Sequence, residues 1–116
     1  MKKVLLFVVF SIFLAAASLA YAHPPSDIKI TFDAKTKMLH AVILHNVKDA
    51  LKHYINKVDV ALNGKKIIEH NISKQDNNES QAVDYLIPDA KDGDVLSVDG
   101  FCSIVGNLKK DIIVIK

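Results

Sequence analysis

From residue 27 onward the apolar residues come in seven short runs rich in β-branched side chains, and none repeats with the period of a helix. Such runs, bounded by turn residues, specify strands. They predict strands over 27–32, 38–45, 54–62, 66–72, 81–87, 94–104 and 111–116. The connections are readable too. Residues 33–37 form a short hairpin link, and Asn63-Gly64 joins two runs with the dipeptide that favours a two-residue hairpin turn. SKQDNNES (73–80) is a polar loop and PDAKDG (88–93) a turn cluster. Seven short strands at this spacing predict an all-β chain, an immunoglobulin-like seven-stranded β-sandwich, with a small barrel as the alternative.

The first 22 residues have a different character. Lys2 and Lys3 precede an apolar stretch that ends in Ala20-Tyr21-Ala22. This is the pattern of a secretory signal peptide with an A-x-A cleavage site. An uncleaved anchor is the alternative, but the apolar run over 4–20 is marginal for a bilayer span. Cleavage leaves residues 23–116 as one extracytoplasmic domain, periplasmic or secreted, and not held in a membrane. Without those two lysines, 13 lysines balance 13 acidic residues. A near-neutral domain lacks the basic footprint that nucleic acid requires.

Cys102 is the only cysteine, so no internal disulfide can form. Alternation along 94–104 puts it in phase with Leu96, Val98, Gly100 and Ile104, facing inward. A thiol so placed is either a core residue or a metal thiolate. Five histidines follow the signal: His23, His40, His45, His53 and His70. His45 and His53 flank the loop 46–52, where two rings can converge on one ion from opposite sides. Imidazole with thiolate suits iron, zinc or copper. His40 lies on the opposite strand face from His45, and His70 lies in a short edge strand. Both read as structural or exposed.

The residues around these ligands resemble the superoxide reductase family, the desulfoferrodoxin and neelaredoxin iron domains. HNVKDALKHYINKVDVALNG (45–64) is similar to the family's metal-site segment, where a histidine opens a loop and His-Tyr-Ile or His-His-Ile follows. GDVLSVDGFCSIVG (93–106) is similar to the strand that closes in Cys-Asn-x-His-Gly, with Cys102 and Gly106 at its first and last places. His23-Pro24-Pro25 stands where the family carries a histidine shortly before proline. The resemblance implies a seven-stranded immunoglobulin-like sandwich and a mononuclear iron site. It also implies metal ligands at His23, His45, His53 and Cys102. The family's fourth imidazole falls on Val105, which departs from the pattern.

The implied activity is one-electron reduction of superoxide to hydrogen peroxide, with electrons from a donor that the sequence does not identify. Lys48, with Lys52 beside it in the loop, is the candidate cation for attracting the anionic substrate. A different class of function is an extracytoplasmic copper or zinc carrier without catalysis, in which the α-amine freed at His23 joins its imidazole as a chelate. A third class is a sandwich without metal that binds a protein partner. No paired carboxylates, phosphate loop, nucleophile elbow or nicotinamide fingerprint is present.

Overall fold

A computed structural model describes residues 22–116, so the expected signal segment lies, apart from Ala22, outside the described residues. Seven strands are present: β1 (Asp27–Asp33), β2 (Met38–Leu44), β3 (Ile55–Leu62), β4 (Lys65–Asn71), β5 (Ser80–Leu86), β6 (Val95–Cys102) and β7 (Asn107–Ile113). They form two antiparallel sheets, ordered β1-β2-β5 and β4-β3-β6-β7, and the described residues include no helix. The all-β, two-sheet architecture expected from the alternation is therefore present. β4 pairs with β3 at the edge of the four-stranded sheet, whereas in a constant-type immunoglobulin domain the fourth strand joins the other sheet.

The core lies between the two inner faces. Ile28, Leu39, Ala41, Ile43 and Val83 point in from one sheet, and Ile55, Val58, Val60, Leu96 and Val98 from the other. These alternate residues are buried because successive strand side chains point to opposite faces. Each fully buried branched side chain contributes about 1.5–3 kcal/mol relative to exposure. Gly100 on one sheet faces Ile43 on the other. A Cβ at position 100 would stand 3.1 Å from the Ile43 side chain, which would have to shift by a few tenths of an ångström to admit it.

Antiparallel order sends the connections to two opposite ends. One end carries residues 22–26, 45–54, 72–79 and 103–106. The other carries 34–37, 63–64, 87–94 and 114–116. Asn63 (φ 51°) and Gly64 (φ 83°) both adopt left-handed backbone, as a type I′ turn requires.

Five strands match the sequence reading to within one residue at each end, and two depart further. β6 stops at Cys102, and Ile104 is 55% exposed rather than in the core. A turn intervenes, closed by the Cys102 N–H donating to the Gly106 carbonyl at 3.0 Å. The last strand runs Asn107–Ile113 instead of 111–116. It starts directly after Gly106 because the ladder with β6 begins there, pairing Phe101 with Asn107. As an edge strand with mostly exposed side chains it has no need of a continuous apolar run. Val114 then turns inward and closes the far end of the core.

Candidate metal centre

The first end of the sandwich brings three histidines together. β2 delivers His45 one residue past its last paired position, and His45 is fully buried. Its N–H donates to the Glu79 carbonyl at 2.9 Å, which joins this strand end to the 72–79 loop. Asp49 then closes a turn: its carbonyl accepts the His53 N–H at 3.0 Å, and its carboxylate accepts the Leu51 N–H at 3.0 Å. This turn carries His53 back towards the end of the sandwich where Cys102 lies. Tyr54 and Ser103 lock the next step. The Tyr54 N–H donates to the Ser103 hydroxyl at 3.1 Å, and the Ser103 N–H donates to the Tyr54 carbonyl at 2.8 Å. Ser103 therefore aligns His53 with Cys102.

His23 arrives from the segment before β1. The Ser26 N–H donates to the Leu44 carbonyl at 2.9 Å. Pro24 rests over Gly106, where an added Cβ would come within 3.0 Å of the proline ring. The three rings meet edge to face, with centroids 5.1 Å (His23–His45), 5.3 Å (His23–His53) and 4.6 Å (His45–His53) apart. One ring nitrogen from each lies within 4.8 Å of the other two, an arrangement that could hold a metal ion. Cys102 is buried and reaches this group through His53, with Sγ 3.1 Å from His53 Nε2. The Ile104 N–H also donates to this sulfur at 3.4 Å.

The polar surroundings contain more acceptors than donors. His23 Nδ1 faces the Pro24 carbonyl at 2.9 Å, and its Nε2 faces the Asn46 carbonyl at 2.8 Å. His45 Nδ1 faces Gln75 Oε1 at 2.9 Å, and its Nε2 faces the His23 carbonyl at 3.1 Å. Four ring nitrogens thus face four oxygens, while two neutral imidazoles carry only one N–H each. The His23 contacts are open to solvent, whereas the buried His45 ring, when neutral, has one hydrogen for two acceptors. His53 disfavours the proton: burial foremost, then the neighbouring His45 and His23, hold its ring below the usual histidine range. A neutral ring is the form that binds metal.

The three imidazoles could hold a metal ion, and the Cys102 thiol lies against one of them. An open cleft of about 460 Å³ adjoins the rings, lined by His23, Val47, Lys48, Asp49, Lys52 and His53. Both loop lysines anticipated from the sequence therefore border it.

The other sequence candidates fall elsewhere. His40 pairs with Asp84 at 2.7 Å on an exposed sheet face, and His70 contacts the Tyr85 hydroxyl at 2.8 Å. Val105 is 45% exposed and offers no ligand atom. One residue of the site escaped sequence reasoning. Gln75 is fully buried behind His45, although its loop, SKQDNNES, reads as solvated polar chain. No family model and no curated protein matches this chain.

Proposed function

We propose that this protein is an exported mononuclear non-haem iron protein of superoxide reductase type. The observation that carries the reading is the thiol of Cys102 in contact with one member of a three-histidine cluster. A nitrogen ligand at about 2.1 Å and a sulfur ligand at about 2.3 Å are roughly 3.1 Å apart when they meet at a right angle, and roughly 3.6 Å apart at a tetrahedral angle. The His53–Cys102 separation is 3.1 Å. The two groups thus stand at a separation that ligands of one ion can share.

His23, His45, His53 and Cys102 would hold the metal. Bound iron would supply the single electron that, with two protons, converts superoxide to hydrogen peroxide, and a separate donor would restore it. The thiolate would raise electron density at the metal, as in thiolate-ligated haem. Lys48 and Lys52 at the cleft would draw in the anion. The low proton affinity of His53 would keep its ring in the ligating form.

A second reading, a zinc or copper carrier without catalysis, is favoured by Val105. With no imidazole there, the matched positions provide four ligands, a number that also suits zinc. One experiment separates the two. The processed protein is purified without metal and titrated anaerobically with Fe(II), then with Zn(II) and Cu(II). Stoichiometric iron, a thiolate charge-transfer band on oxidation and superoxide-dependent peroxide formation are expected. Stoichiometric zinc or copper with no superoxide turnover would establish the carrier instead. Absence of any metal would overturn both.

A further inference from the structure

The side chain of the fully buried Gln75 makes four hydrogen bonds, and their partners fix the direction of its amide. Two partners are carbonyls, His45 O and Asn77 O, each 2.8 Å from Nε2. Carbonyls only accept, so the amide nitrogen must lie on their side. The third partner is the Ile55 N–H, 3.1 Å from Oε1. That group only donates, so the amide oxygen must lie on its side. An exchange of oxygen and nitrogen would therefore break three bonds at once.

The fourth partner is His45 Nδ1, 2.9 Å from the same Oε1. An oxygen fixed in this way can only accept, so Nδ1 must carry the hydrogen. In the neutral ring the lone pair is then on Nε2, where its neighbour is the His23 carbonyl oxygen at 3.1 Å, an acceptor that cannot satisfy it.

We infer that Gln75 is a positioning residue for the metal centre: it holds His45 in the Nδ1–H form and so makes Nε2 the ligating atom. This rests on the metal-binding reading above. Groups behind a ligating histidine fix its tautomer and ring orientation, and their loss typically costs about 10–100-fold in metal affinity. Gln75 also joins three segments of the site, because its partners lie at the end of β2, at the start of β3 and in its own loop. A merely structural role would be that of a clamp between these segments, with no effect on the tautomer.

Two variants separate the roles. Gln75→Glu retains an acceptor for His45 Nδ1 and Ile55 but loses both donated bonds, and Gln75→Met loses everything at nearly the same volume. The tautomer is read from ring nitrogen shifts of ¹⁵N-labelled metal-free protein at a pH where the rings are neutral. Affinity is read by titration with Zn(II), a redox-silent probe, against a chelator. We expect the Nδ1–H form in the wild type and in Gln75→Glu, and the Nε2–H form gaining population in Gln75→Met. Zinc affinity should fall about 10–100-fold in Gln75→Met and about threefold or less in Gln75→Glu.

A wild-type His45 in the Nε2–H form would overturn the inference, and that measurement needs no variant to fold. Equal losses of affinity in the two folded variants would reduce Gln75 to a clamp and overturn it as well. A wild type in the Nδ1–H form that binds no zinc would overturn the metal reading while upholding Gln75 as the residue that sets the tautomer.

Discussion

The two ends of the sandwich are built from the same kind of material, loops between antiparallel strands, yet they are held closed in opposite ways. At the far end the polar groups satisfy one another. Asn63 donates to Asp94 at 3.0 Å and accepts the Val95 N–H at 2.9 Å. Lys37 Nζ donates to the Ala90 carbonyl, and Asp33 accepts the Lys35 N–H at 2.8 Å. Each donor there meets an acceptor. At the histidine end, ring nitrogens and carbonyl oxygens face one another with too few hydrogens between them. The difference separates an end whose polar groups pair with one another from one that gathers three ring nitrogens where a metal ion could sit.

The largest expected effect breaks this comparison from the histidine side. Replacing His53 by alanine should weaken metal binding more than about 100-fold, since even groups behind a ligand are worth about 10–100-fold. Denaturant unfolding of the metal-free variant should change far less. Asn63→Ala should do the reverse at the other end. It removes the bonds to Asp94 and Val95 from a residue in left-handed backbone. A loss of about 1–2 kcal/mol in unfolding free energy is expected, with metal affinity unaltered.

A pair of glycines gives a finer comparison. Gly64 and Gly106 both have positive φ, but a Cβ at Gly64 meets nothing within 4 Å, whereas at Gly106 it meets Pro24. Alanine at either should cost about 1 kcal/mol through backbone strain. Only Gly106→Ala should also displace Pro24 and with it His23, lowering metal affinity about tenfold, as expected when support behind a ligand is lost. Calorimetric metal titration of both variants checks this. If Gly64→Ala weakens metal binding equally, the two ends are not independent.

Acid should open the ends in sequence, with the smallest effect of the set. In the metal-free protein the His53 pKa lies below its unfolded value near 6.5. The unfolded chain then binds the proton more readily. Its contribution to stability is present above that pH and is lost as pH falls through the lower folded value. The Asp94 carboxyl is held below the usual carboxylate range, chiefly by the hydrogen bond from Asn63 and then by that from the Lys91 N–H. Its contribution is present above about 3.8 and is lost only below that. Amide exchange should therefore accelerate around 45–54 at mildly acidic pH, while 63–64 and 91–95 hold until strongly acidic pH.

Much of this was legible in the chain. Alternation identified Cys102 as inward-facing, Asn63-Gly64 marked its turn, and the loop between His45 and His53 predicted that their rings converge. These features are local, or follow from strand period alone. What was not legible depends on tertiary contact. The start of β7 is set by its register with β6, which its own side chains do not encode. Gln75 sits among polar residues in a loop, and its burial arises only when that loop folds over His45 and Ile55. Ser103 reads as a strand-end hydroxyl, and its bond to Tyr54 appears only when β6 lies beside β3.

The contact between His53 and Cys102 spans 49 residues of chain, and His23 stands further from Cys102 still. The centre is therefore assembled from the beginning, middle and end of the domain, and no fragment carries it. An ion bound there would act as a cross-link, closing loops whose ends are costly to bring together in the unfolded chain. In a domain whose single cysteine allows no internal disulfide, this would be its one staple. Capture of the ion would come late in folding, after β6 has docked against β3, and would slow the opening of both sheets together.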